Sequence, residues 1–293
     1  MIISVVGSIN MDMTVVAERI PQKGETLVGS SISYIPGGKG ANQAVAMAKL
    51  GANVRMFGCV GDDNSGETLI NNLKKYEIDT RYIQKVPDVE TGTAFITVGE
   101  NDNTIVVVAG ANNCVDCNYV DNVKDNILES DLVVLQHEIP IETVEYVTKI
   151  CHENRIKVIL NPAPAHPISA DVLEMVDYIT PNEHEAVNLF GDKDSTEELL
   201  GRYPEKLIIT QGSRGVSFAR ESGEAVNVPA RPAKVADTTG AGDTLNGAFA
   251  VQISKGVDIE EALRFANVAA SLSTERFGAQ GGMPKYEEVM KAM

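Results

Sequence analysis

The stretch DLVVLQHEIPIETVEYVTKICHENRIKVILN, residues 131–161, carries the pattern that decides the fold. It opens on a short β-branched run, DLVVLQ, and closes on another, KVILN. Between them, IETVEYVTKICHENR repeats its apolar residues with a helical period, the mark of a helix with one buried face. Strand, helix and strand in that order make a βαβ unit, whose two strands lie parallel. The rhythm runs outward in both directions. IISVVG and VRMFGCV precede the stretch, with the helical pattern GANQAVAMAKLGA between them, and YITPN and KLIIT follow it. The sequence predicts an α/β fold, a parallel sheet with helices on both faces. Ligands of such sheets bind at the carboxyl ends of the strands.

Two stretches break the rhythm. Residues 13–35, MTVVAERIPQKGETLVGSSISYI, and 92–108, GTAFITVGENDNTIVVV, read as β-hairpins turning at IPQKGE and GENDN. They predict a small β-sheet lid standing apart from a large α/β domain made of residues 1–12, 36–91 and 109–293. An apolar sheet face without covering helices has to be buried, as a lid or as a dimer surface. From Lys234 onward the pattern is helical, apart from the loop FGAQGGMP.

Charge narrows the partners. The chain of 293 residues carries 25 Lys and Arg against 41 Asp and Glu, a formal charge of −16. That balance argues against nucleic acid and anionic membranes as partners. No apolar run reaches the ~18 residues of a transmembrane helix, and MIISVVGSINMD lacks the basic start and cleavage site of a signal peptide. The expected compartment is the cytoplasm. Cys114 and Cys117 form a lone CxxC, with no second pair and no His at finger-like spacing, and are expected to be incidental.

The chemistry is sought in glycine-rich turns. GxxxxGK[ST] is absent, because Lys39 is followed by Gly40, and VVGSIN carries no GxGxxG; neither a P-loop nor a dinucleotide fingerprint is supported. TTGAGDTLNG, residues 238–247, precedes the apolar pattern Leu245, Ala248, Phe249 and Ile253, so a helix is expected to start near Gly242–Asp243. Free N–H groups at a helix start attract anions, and Gly240, Ala241 and Gly242 leave room for a phosphate. A carboxylate beside a phosphate repels it, which makes Asp243 a candidate general base rather than only a cap. PGGKGANQA, residues 36–44, is a second glycine-rich turn opening a helix, with Asn42 polar on an otherwise small and apolar face. In GSINMD, residues 7–12, Asn10 and Asp12 alternate and can face the same way; an amide and a carboxylate suit the vicinal hydroxyls of a sugar. In TPNEHEA, residues 180–186, Asn182 and Glu185 share a helix face, and a carboxylate near phosphates usually works through Mg2+. ITQGSRG, residues 209–215, is either a nucleotide-binding turn that uses Arg214 or a plain hairpin turn.

Taken together, GSINMD, GGKGANQA, NPAPA, TPNEHEA, TQGSRG and DTTGAGDTLNGA resemble, in order and spacing, the ribokinase-like carbohydrate kinases. The resemblance covers essentially the whole chain. It implies a large α/β domain with a small β lid that also forms a homodimer contact, and ATP-dependent phosphorylation of ribose. It further implies Asp243 as catalytic base, with an anion hole over Gly240, Ala241, Gly242 and Asp243. Asn10, Asp12, Gly38, Lys39, Asn42 and Glu138 match sugar-binding positions. Thr210, Gly212, Ser213, Gly215 and Asn267 match nucleotide-binding positions, and Asn182 with Glu185 matches the pair that acts on Mg2+ and phosphate. The resemblance also implies a K+ site of Asp237 with backbone oxygens of Thr239, Ser273, Arg276 and Gly278. Gly282 stands there where the family usually has serine, which removes one oxygen. The segment 191–206 is short for the family and is expected to trim a helix. Same-fold kinases of fructose, of a nucleoside such as adenosine or of a phosphorylated sugar, and a non-catalytic sensor, are the alternatives. The small lid residues Ala94, Ile96 and Val107 favour a compact sugar.

Overall fold

All the β-branched runs but KLIIT come together in one six-stranded parallel sheet, seen in a computed structural model that describes residues 1–100 and 102–293. Asn101, in the expected GENDN turn, lies outside the described residues. Among the described residues the strands in chain order are β1 Ile2–Val6, β2 Asn10–Val16, β3 Ser31–Gly37, β4 Asn53–Gly61, β5 Asp79–Val86, β6 Gly92–Gly99, β7 Asp102–Val108, β8 Leu132–Gln136, β9 Lys157–Asn161, β10 Tyr178–Ile179, β11 Ile208–Thr210, β12 Val216–Ala219 and β13 Ala225–Val228. The large sheet has the order β10-β9-β8-β1-β4-β5. β8 and β9 pair parallel from Leu132↔Lys157 to Gln136↔Asn161, as the βαβ reading of residues 131–161 requires.

Both faces of this sheet are covered, so its strands are apolar throughout rather than alternating. Ile3 and Val5 of β1 pack on one face, against residues of the helices Lys39–Lys49, Ala241–Ser254 and Ile259–Ser273. Val6 of β1 and Val133 and Leu135 of β8 pack on the other, against the helices Cys117–Leu128 and Ile141–Glu153. The antiparallel sheet β11-β12-β13 continues from β10 through the parallel bridges Ile179↔Leu207 and Asn182↔Thr210.

The small sheet has the order β3-β2-β6-β7, with β2 parallel to β6 and the other pairs antiparallel. Its strands overrun the expected 13–35 boundary, because the β2–β3 ladder continues from Asn10↔Gly37 to Val16↔Ser31. Asn10 and Asp12 therefore open a lid strand rather than close the first strand of the large sheet. β2 and β3 are not joined by a tight turn; residues 17–30 form a loop pinned by an Arg19–Glu25 ion pair. The expected loop FGAQGGMP contains a helical turn, Ala279–Gly282. The segment 191–206 keeps a short helix, Thr196–Arg202, held by a capping box of Ser195 and Glu198.

Candidate active site

The helix carrying Asp243 runs from Ala241 to Ser254, starting slightly before the expected point, with Gly240 as its N-cap at φ 76°. That left-handed conformation suits glycine, and a Cβ there would lie 2.8 Å from the Ala279 Cβ. The Ala241 N–H donates to the Thr238 carbonyl at 3.2 Å, so it is turned into the protein. The expected anion hole narrows accordingly. Among the described residues, the N–H groups of Gly240, Gly242 and Asp243 meet no acceptor, and a side chain on Gly242 would meet nothing within 4 Å. Free donors at a helix start form a positive, open surface.

Asp243 is buried, and both of its oxygens are gripped. Asn42 Nδ2 donates to Oδ2 at 3.0 Å, and Gln43 Nε2 donates to Oδ1 at 3.1 Å. Behind these amides stand others. Gln280 Nε2 donates to Asn42 Oδ1 at 3.0 Å, Gln136 Nε2 to Gln43 Oε1 at 2.7 Å, and Gln43 Nε2 also to Asn161 Oδ1 at 3.1 Å. A carboxylate only accepts, so it fixes the direction of every bond leading to it. Burial pushes the Asp243 carboxyl above the usual carboxylate range, opposed by the Lys39 charge and by the two amides. A poised base has this character.

A second acidic cluster lies close by. Asp12 is raised to about 6, first by burial and then by the charges of Glu138 and Asp243. Burial works against the charged form of Lys39, but Asp243, Glu138 and Glu185 outweigh it and raise its pKa. Glu138 Oε2 accepts from Ser8 Oγ at 2.6 Å and from the Lys39 N–H at 3.0 Å, so it holds the start of the helix Lys39–Lys49, whose N-cap is Gly38. Asp12, Ala94 and Val107 are neighbours across β2, β6 and β7, so the small lid residues share a face with this carboxylate. Asn10 Oδ1 accepts from Asn112 Nδ2 at 2.6 Å.

On the other side of Gly242 is a cavity of about 610 Å³, lined by Thr210, Gly212, Ser213, Gly215, Asn267, Ala241 and Gly242 among others. The expected nucleotide-binding positions thus gather in one place. Asn267 Nδ2 is committed to the Val228 carbonyl at 2.8 Å, so it shapes the wall through the end of β13. Arg214 does not stand free as a phosphate ligand; it pairs with Glu183. Asn182 caps the helix Glu183–Phe190, and Glu185 Oε2 accepts from the Asn182 N–H at 2.8 Å. Burial raises the Glu185 pKa, offset by that N–H and by Lys39.

The residues expected around a monovalent cation also meet. Asp237 Oδ1 accepts from Thr239 N at 2.9 Å and from Thr239 Oγ1 at 2.7 Å, and Oδ2 accepts from Gly278 N at 2.8 Å. Burial would raise its pKa, but these three bonds lower it. A Cβ on Gly282 would come within 2.5 Å of the Ser273 carbonyl oxygen and 3.3 Å of the Arg276 one. Glycine here does more than omit a serine oxygen: it leaves the Ser273 carbonyl its place. The Arg276 side chain is elsewhere, paired with Glu288.

Sequence reasoning missed the amides Gln43, Gln136, Asn161, Gln280 and Asn112, and the cavity wall of Ala230, Pro232 and Val235. Gln43 stands inside a quoted motif, and its adjacency to Asn42 was the available signal. Asn161 opens NPAPA, Gln136 ends DLVVLQ and Gln280 lies in FGAQGGMP, but nothing local in those stretches says which amide each will meet; Asn112 lies in no quoted motif.

The model of the pfkB family carbohydrate kinases matches residues 2–286. The ribokinase of Bacillus subtilis (strain 168) is 51% identical over 287 residues, covering 98% of this chain and 97% of the relative. The crystal structure of a ribokinase from Thermotoga maritima superposes with a TM-score of 0.90 at 36% identity, covering 99% of this chain and 98% of that one. The ribokinase of Arabidopsis thaliana, solved with ribose and ATP, also reaches 0.90, at 32% identity over 99% and 97% of the two chains. The chain belongs to the pfkB family of carbohydrate kinases.

Proposed function

We propose that the protein transfers the γ-phosphoryl group of ATP to the 5-hydroxyl of D-ribose, giving ribose 5-phosphate and ADP. One observation carries this reading. Asp243 follows Gly242 on the wall of the cavity, while its carboxylate accepts from Asn42 and is close enough to Asp12 to raise its pKa. The base thus stands between a nucleotide-sized cavity and the acidic cluster of Asp12 and Glu138. The family membership and the ribokinase relatives support the same substrates.

In the reaction, Asp243 takes the proton of the ribose 5-hydroxyl. That oxygen bonds to the γ-phosphorus, the bond to the β–γ bridging oxygen breaks, and ADP leaves. The Gly240, Gly242 and Asp243 N–H groups stabilise charge on the moving phosphoryl group. Asn10, Asp12, Gly38, Lys39, Asn42 and Glu138 hold the sugar. Thr210, Gly212, Ser213, Gly215 and Asn267 shape the nucleotide site, with Asn182 at its rim. Mg2+ would be held through water by Glu185, whose Oε1 is not used by the capping bond, and would neutralise phosphate charge. K+ suits the oxygen-rich junction of Asp237, Thr239, Ser273, Arg276, Gly278 and Gly282, and would brace the loop behind the anion hole. The lid strands form the small domain and the contact of a homodimer. A cytoplasmic setting fits ATP as donor; among the described residues no helix is long and apolar enough to cross a membrane.

The test is a coupled assay of ADP release with ribose, 2-deoxyribose, fructose and adenosine as acceptors. Ribose should give the highest kcat/KM, with 2-deoxyribose poorer because the polar groups that meet the 2-hydroxyl lose their partner. Preference for fructose or adenosine, or no acceptor-dependent ADP release, would overturn the reading.

A further inference from the structure

We infer that Asn112 is a positioning residue that fixes which end of the Asn10 amide faces the sugar. The inference rests on the reading of Asn10 as a sugar contact. Asn112 lies in the helical turn Gly110–Cys114, just after β7, and is 1% exposed. Its Oδ1 accepts from the Ile9 N–H at 2.9 Å. A backbone N–H can only donate, so the oxygen end of the Asn112 amide must face Ile9. The nitrogen end then faces Asn10 and donates to its Oδ1 at 2.6 Å. An amide nitrogen has no acceptor capacity, so Asn10 must answer with its oxygen. The Asn10 NH2 group is thereby left for the pocket. Polarity passes from one backbone N–H through two side-chain amides to the sugar.

The consequence is an ordered pair on β2. Asn10 presents donors, and Asp12, on the same strand face, accepts when ionised. A vicinal diol meets such a pair best with one oxygen accepting and its neighbour donating. The chain leaves room for this arrangement. A Cβ at Gly92 would lie 2.2 Å from Asn112 Nδ2 and 2.3 Å from Asn10 Oδ1, so glycine at the start of β6 is what admits the amide pair. Asn10 opens β2, Gly92 opens β6 and Asn112 follows β7, so the pair sits where the lid strands meet the large domain.

The experiment measures steady-state kinetics for both substrates in the full-length enzyme. Asn112→Asp places a carboxylate oxygen where Nδ2 was, which drives Asn10 to turn its own oxygen onto the sugar. Ribose KM should rise about tenfold, the effect of leaving one buried polar group mispaired, with kcat and the ATP KM little changed. In an Asn10→Ala background the same substitution should change ribose KM by less than about twofold, because coupled residues are not additive. A full further rise in that background, or no rise with Asn10 present, overturns the inference. An unchanged ribose KM in Asn10→Ala alone would instead overturn the sugar-site reading beneath it, and is seen without touching Asn112. Should Asn112→Asp fail to fold, Asn112→Ser frees the Asn10 amide without adding charge, and should raise ribose KM with the same non-additivity.

Discussion

At the scale of the residue, two carboxylates close together have different surroundings. Burial raises both, but Asp243 also accepts from two buried amides, while Asp12 is raised further by the charges of Glu138 and Asp243. Asp243→Asn keeps the shape but removes the base. We expect kcat to fall by about 10²–10⁴-fold, while ATP affinity holds or rises because a negative charge beside the γ-phosphate is gone. Turnover near the parent value would make Asp243 a structural group only. Asp12 gives a pH signature. With its carboxyl raised to about 6, it is ionised and able to accept above that pH, and becomes protonated as the pH falls through it. Ribose KM should therefore rise below about pH 6 in the parent protein, and Asp12→Asn should flatten that rise. An unchanged profile in the variant would assign the titration to another group.

At the scale of the element, the start of the Asp243 helix depends on a neighbouring loop. Gly240 lies against Ala279, and Asp237 binds the Gly278 N–H, so the turn 237–240 and the segment 273–282 hold each other. Amides that face a phosphate leave carbonyls facing the other way, where a large monovalent cation can bind. Exchanging Na+ for K+ at constant ionic strength is expected to raise turnover, and Asp237→Ala to blunt the difference. Equal rates in the two salts would mean that the Asp237 hydrogen bonds alone hold the loop.

At the scale of the whole molecule, the lid carries an uncovered apolar surface. Tyr34, Met13, Phe95 and Val106 line up across β3, β2, β6 and β7, and Tyr34, Phe95 and Val106 are 59%, 49% and 64% exposed. A contiguous row of this kind marks an interaction surface, and a second copy of the lid would cover it. Sedimentation should find a dimer that Val106→Lys weakens, the fold of the large domain being unaffected. A parent protein that sediments as a monomer at micromolar concentration would overturn the assignment.

The sequence by itself determined the alternation of strands and helices, because the period of apolar residues is a local property. It also determined the glycine frame around Asp243 and the amide–carboxylate pair Asn10 and Asp12, since each motif lies within a few residues. Ser195 with Glu198 and Asn182 with Glu185 became capping boxes for the same local reason. The tertiary structure decided what each motif meets. Only folding sets Gln280 behind Asn42, Asn112 behind Asn10 and Glu138 under the Lys39 N–H, because these pairs are brought together by packing across the sheet and leave no spacing to read. It also decided that Ala241 spends its N–H on Thr238, that Arg214 pairs with Glu183, and that β2 begins at Asn10. A hydrogen-bond partner, unlike a hydrophobic period, is chosen by whatever atom the completed fold puts within reach.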